Sequence, residues 1–194
     1  MTRTFIALEM NEAAQRHLEG VIHRVARGLP SVRWVDPAGI HLTLAFLGEL
    51  TDEQLTEATE AAGIAARKVC SFSYNLSRLG VFGPAKQPRV IWMGINEPSG
   101  TLSLLHRVLN RELEQRGFAV DKRPFSPHLT LARVKVPLTS EEQGNLQSIL
   151  TGKQHGIVST EIYPVSSVYV MKSELSRMGA QYTCLQEWKL GDVL

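Results

Sequence analysis

The sequence predicts an α+β fold of two pseudo-symmetric lobes, with antiparallel sheets flanking a central cleft and helices on the outside. Three observations predict it. The tetrapeptide HLTL occurs twice, at His41–Leu44 and at His128–Leu131. The patterns around each copy run in the same order: strand, helix, short strand, HLTL strand, capped helix, strand. Matching features also keep a nearly constant separation. Arg3 and Arg89 are 86 residues apart, His41 and His128 are 87 apart, and Thr51 and Thr139, which each open a capping box, are 88 apart. Self-similarity of this kind marks an internal repeat, here roughly 3–80 and 89–194. The expectation is one bilobal domain over 1–194, each lobe carrying one HxTx motif.

Each element has a local reason. Arg3–Leu8 is rich in β-branched and aromatic residues, hence a strand. Asn11 is an N-cap, and Ala14, Leu18, Val21, Ile22 and Val25 recur at helical spacing up to Gly28. Val32–Val35 reads as a brief strand, Asp36–Gly39 as a turn, and Ile40–Leu47 as the first HLTL strand, ended by Gly48. Thr51–Gln54 is a capping box opening a helix to about Val69. Phe72–Leu79 is a strand and Gly83–Pro88 a loop. In the second half, Arg89–Ile95 is a strand, and Leu102, Leu105, Val108, Leu109 and Leu113 mark a helix ending at Gly117, their stripe being core packing. Phe118–Val120 is a short extended piece and Arg123–Pro127 a stiff loop. His128–Val134 is the second HLTL strand, and Thr139–Glu142 caps a helix to about Leu150. Gly156–Tyr163, Ser167–Lys172 and Gln181–Trp188 are strand candidates.

Composition excludes several classes. A hydrophobic content of 43% with 21% charged residues is ordinary for a globular chain. No apolar run approaches the roughly 18 residues of a membrane span, and the first apolar run is too short for a signal peptide. The expected setting is cytoplasmic, without a membrane partner, and the expected state is a monomer. Cys70 and Cys184 have no metal-type spacing and read as reduced thiols packed like small apolar residues. The net charge of +2 at pH 7 permits an anionic substrate without requiring nucleic acid.

In an extended strand, alternate side chains share a face. His41 and Thr43 therefore point one way while Leu42 and Leu44 anchor the strand in the core; His128, Thr130, Leu129 and Leu131 repeat the arrangement. A two-fold would set the two histidines opposite each other with the threonines beside them. Imidazole titrates near neutrality, so one ring can accept a proton from a nucleophile while the other protonates a leaving oxygen. That suits in-line displacement at phosphorus, with the threonine hydroxyls donating to non-bridging oxygens. A zinc site needs three or four ligands, and neither HLTL strand carries Cys, Asp or Glu, so no metal and no cofactor are expected. Gly83–Pro88 lacks the ending of a phosphate loop. His17, His23, His106 and His155 read as surface residues.

These motifs resemble those of the 2H phosphoesterases and, more closely, of the bacterial and archaeal RNA 2',3'-cyclic phosphodiesterases, also called 2'-5' RNA ligases. The resemblance extends over nearly the whole chain, through RTFIALEM, HLTLAFLGEL, PRVIWMGI, RPFSPHLTLAR and SVYVMKSELSRMGAQYTCL. It implies a LigT-like fold and metal-independent hydrolysis of RNA 2',3'-cyclic phosphate ends to 2'-phosphomonoesters, with reversible ATP-independent 2'-5' ligation as a side activity. It also implies that His41 is the proton donor to the leaving 3'-oxygen and His128 the acceptor that activates water. The pseudo-symmetry by itself does not fix that polarity. Phe46 and Arg133, each five residues after its motif histidine, are candidates to stack on a base and to pair with phosphate. Arg89 is a third substrate-binding candidate, and Arg123 precedes the second motif. Two other readings use the same cleft: a non-catalytic module binding RNA or a nucleotide, and a cyclic phosphodiesterase for a small nucleotide.

Overall fold

A computed structural model describes residues 1–84, 86–151, 160–176 and 179–191. In chain order the elements are β1 (Thr2–Glu9), α1 (Glu12–Ala26), β2 (Arg33–Trp34), β3 (His41–Leu50), α2 (Asp52–Arg67), β4 (Phe72–Phe82), β5 (Val90–Asn96), α3 (Thr101–Gln115), β6 (His128–Arg133), α4 (Ser140–Thr151), β7 (Tyr163–Val165), β8 (Ser167–Ser176) and β9 (Gly179–Lys189). The strands form two antiparallel sheets, ordered β3-β1-β8-β9 and β2-β6-β5-β4-β7.

Capping chemistry starts the helices where the sequence places them. Asn11 Oδ1 accepts from Ala14 N at 2.9 Å to open α1. Thr51 and Gln54 exchange side-chain and backbone bonds of 3.3 and 3.0 Å to open α2. Thr139 and Glu142 do the same for α4 at 3.2 and 2.9 Å. Glu142 adds a long-range bond, its Oε1 accepting from Ser31 N at 2.8 Å, which ties α4 to the segment after α1. The buried face of α2 is small: Ala58, Ala61, Ala62, Ala65 and Ala66. A Cβ on Gly63 would lie 2.9 Å from the Trp188 ring, so this helix seats closely against β9. The leucine stripe of α3 is core, with Leu102, Leu105, Leu109 and Leu113 all at 2% exposure or less.

Each of the two sheets draws strands from both halves of the chain. β4 from the first half is bonded to β5 in the second sheet, while β8 and β9 from the second half extend the first sheet. Side-chain periodicity fixes which face of a strand is buried, but not which distant strand it pairs with. Each sheet nonetheless carries one HLTL strand, β3 in one and β6 in the other.

Smaller differences follow local geometry. β3 continues through Gly48 to Leu50, because Gly48 takes φ 75° beside a bulge opposite Thr4 and Phe5 instead of ending the strand. β4 runs on to Phe82, and Phe118–Val120 joins no strand. The Gly156–Tyr163 strand candidate lies largely outside the described residues; β7 begins at Tyr163. Cys70 and Cys184 are free thiols, with Cys184 exposed instead of packed. Among the described residues, no helix is long and apolar enough to cross a membrane.

Candidate active site

Both motif histidines stand at the first residue of their strands, and each is oriented by the residue two before it. His41 Nδ1 donates to the Gly39 carbonyl at 2.9 Å. His128 Nδ1 donates to the Ser126 carbonyl at 2.7 Å. The turn before β3 is held by Asp36, whose Oδ1 accepts from Ala38 N at 3.0 Å. Before β6 the stiffness comes from Pro124 and Pro127. With Nδ1 carrying the hydrogen, Nε2 of each neutral ring holds the free lone pair. The leucines sit as the alternation requires: Leu42, Leu44, Leu129 and Leu131 are all at 4% exposure or less.

Period-two alternation would send Phe46 and Arg133 to the core face, since each lies an odd number of residues from its histidine. A bulge reverses this in both strands at the same motif position. In β3, Ala7 opposes Thr43 and Ile6 opposes Ala45, leaving Leu44 as the extra residue. In β6, Trp92 opposes Thr130 and Ile91 opposes Ala132, leaving Leu131 as the extra residue. Bulges re-aim side chains in this way. Phe46 consequently lies opposite Phe5 and Arg133 opposite Val90.

The two sheets border a cleft of about 910 Å³. Thr43 and Phe46 line it from β3, and His128, Thr130 and Arg133 from β6. His41, at the start of β3, is not on the wall of this cavity; its ring stacks on Phe5 with centroids 4.7 Å apart and meets the edge of Tyr182 at 4.9 Å. Phe46 is 55% exposed and carries the Arg3 guanidinium 5.0 Å above its ring. Arg89 does not join the group. Its backbone links β4, β5 and the end of β6 through bonds to Phe82 O and Val134 N, but its exposed side chain is not on the cleft wall. Arg123 does line the cleft, paired with Asp121.

Burial pushes the His41 imidazole below its ordinary 6.5; the Gly39 carbonyl works in the opposite direction, and the Arg133 charge lowers it further. Arg133, on the opposite sheet, is therefore close enough to act on His41. Among the described residues, no three His, Cys, Asp or Glu side chains gather as a metal site would need.

The sequence profile described as LigT like Phosphoesterase matches residues 8–92 and 94–180. The chain belongs to this LigT-like phosphoesterase family. One relative is the protein named RNA 2',3'-cyclic phosphodiesterase from Aquifex aeolicus, 29% identical over 188 residues, covering 96% of this chain and 94% of its own. A crystal structure of a Thermus thermophilus protein superposes with a TM-score of 0.80 at 26% identity, covering 98% of this chain and 99% of the other. Escherichia coli LigT, solved in complex with 3'-AMP, superposes at 0.74 with 26% identity and the same coverage.

Several residues of this LigT-like site carry no signal in the motif itself. Phe5 and Tyr182 enclose His41. Phe82 meets the His128 ring edge-on at 4.8 Å, and Trp92 lies 6.2 Å from it. The Trp92 indole has room only because its cross-strand neighbour is Gly80, where a Cβ would fall 2.2 Å from the ring. Period-two alternation does place Phe5 and Trp92 opposite cleft-facing partners once the pairing is known. His106, expected at the surface, is half-buried and lines the cleft, while His17 meets the Tyr163 hydroxyl at 3.1 Å. His155 is outside the described residues.

Proposed function

We propose that this chain hydrolyses the 2',3'-cyclic phosphate end of an RNA to a 2'-phosphomonoester, by two-histidine acid–base catalysis without a metal ion. The observation that carries the reading is the matched histidine geometry, each Nδ1 bound to a carbonyl two residues upstream, on the opposed strands β3 and β6. The name and full-length similarity of the Aquifex relative, and the nucleotide complex of the E. coli structure, support the substrate class.

In this mechanism His128 Nε2 takes a proton from water as the water oxygen bonds to phosphorus. The bond from phosphorus to the 3'-oxygen breaks, and His41 Nε2 supplies that oxygen with its proton. Exchange with solvent resets both rings. Thr43 and Thr130 donate to the non-bridging oxygens, Arg133 pairs with the phosphate, and Phe46 stacks on a base. With an RNA 5'-hydroxyl in place of water, the same displacement makes a 2'-5' linkage without ATP and runs in both directions.

The lowered pKa of His41 favours its neutral form in the free protein. Its donor role thus depends on the bound phosphate, whose negative charge offsets Arg133 and favours imidazolium. Incubation of a 2',3'-cyclic-phosphate-ended RNA with chelator present tests the reading. Release of a 2'-phosphate end is expected; a 3'-phosphate end, or no turnover, overturns it.

A further inference from the structure

The cleft that His128 lines has a further wall made by α3 and the segment before β6, where the rings of His106 and Phe125 stack with centroids 3.8 Å apart and planes 11° from parallel. Asn110, one turn along α3, fixes the His106 ring through a 3.1 Å contact with Nε2. Beyond this stack the cleft passes into a second basin of about 470 Å³, which shares His106, Asn110, Val120 and Asp121 with the first.

Three cations line this second basin, Arg107, Arg111 and Lys122. None has an ion-pair partner among the described residues. Its acidic residues are Glu114 and Asp121, and Asp121 is engaged by Arg123. The basin therefore presents more positive than negative charge. Size points the same way. A single nucleotide needs about 300 Å³, the low end of small-ligand sites, and the cleft offers about 910 Å³ before the second basin begins. An aromatic stack that leads from an acid–base pair to unpaired cations matches the alternation of base and phosphate in a single strand.

We propose that the His106–Phe125 stack and the α3 basin form a subsite for the nucleotide on the 5' side of the cyclic phosphate end. Phe125 stacks on its base, and Arg107 and Arg111 face the phosphates of the strand leading to it. The proposal rests on the reading that the terminal nucleotide lies at the histidine end.

The test compares adenosine 2',3'-cyclic phosphate with di- and tetraribonucleotides of the same terminal chemistry, by kcat/KM, together with binding of the corresponding 3'-phosphate-ended oligonucleotides. Rate and affinity are expected to rise with the second nucleotide by a factor of roughly 5 to 100, the value of one base stacked on an aromatic ring. Phe125→Ala is expected to remove most of that gain. The double substitution R107Q/R111Q, at two exposed positions, is expected to reduce both the gain from further nucleotides and the salt dependence of binding. Turnover of the mononucleotide with no gain from length, or a gain that survives both variants, overturns the subsite and leaves the hydrolysis reading standing. No turnover of any substrate, with binding that tightens with length and loosens in both variants, overturns the hydrolysis reading and supports the subsite.

Discussion

His128 Nδ1 donates to the Ser126 carbonyl at 2.7 Å, and this contact decides which nitrogen of the ring is left to do chemistry. His41 repeats it with Gly39 at 2.9 Å. If both Nε2 atoms move protons, His41→Ala and His128→Ala should each lower kcat by roughly 10² to 10⁴, the usual contribution of one positioned acid or base. Circular dichroism should show the fold retained. Wild-type turnover in either variant would remove that histidine from the mechanism.

Much of this site is legible in the sequence, and the remainder has an identifiable reason for being hidden. Period two puts His41 and Thr43 on one face and Leu42 and Leu44 on the other, and the capping boxes at Thr51 and Thr139 open α2 and α4. Strand partners are a different matter. Nothing in the Phe72–Leu79 pattern says that this strand crosses to pair with β5, so the contact of Phe82 with His128 is not predictable from it. The bulges at Leu44 and Leu131 are likewise properties of pairing, and without them Phe46 and Arg133 would count as core-facing. His106 is misread for a related reason: helical spacing shows which face of α3 is apolar, but not that Phe125 will fold over it.

Arg133 lowers the His41 pKa through its charge, so Arg133→Gln should raise it. The rise should stop short of 6.5, because burial is the larger cause and remains. An NMR titration of the His41 ring reads this directly. With His41 as one of the two proton-transfer groups, one limb of the kcat/KM profile should move to higher pH in the variant even as kcat/KM falls through loss of the phosphate contact. A profile with both limbs unmoved would remove His41 from the pH-dependent step.

Glu142 joins three backbone-level tasks, accepting from Ser31 N and Thr139 N while its own N–H donates to Thr139 Oγ1. Bonds from Ser31 and then Thr139 hold its carboxyl at about 2, against an ordinary 4.5. A carboxyl with a depressed folded pKa stabilises the fold fully above its unfolded value and loses that contribution as pH falls toward the folded one. The melting temperature of the wild type should therefore drop between about pH 4.5 and 2 more steeply than that of Glu142→Gln. Thr139→Ala, which removes the other half of the box, should cost about 1 kcal/mol at neutral pH. Parallel melting curves for wild type and Glu142→Gln would contradict the assignment.

Gly80 and Trp92 face each other across β4 and β5, and a methyl on Gly80 would lie 2.2 Å from the indole. The indole cannot stay where it is in Gly80→Ala. Its ring lies 5.2 Å from that of Phe82, tilted by 35°, and 6.2 Å from that of His128, so its displacement should reach the proposed base. Overpacking of this kind costs about 1–3 kcal/mol, and kcat should fall with it. A smaller ring should relieve the clash: the double variant G80A/W92F is expected to be more stable than the sum of the two single changes predicts, as for residues in direct contact. Additive melting shifts would mean that the strands absorb the methyl elsewhere and that the Gly80–Trp92 fit does not control the His128 pocket.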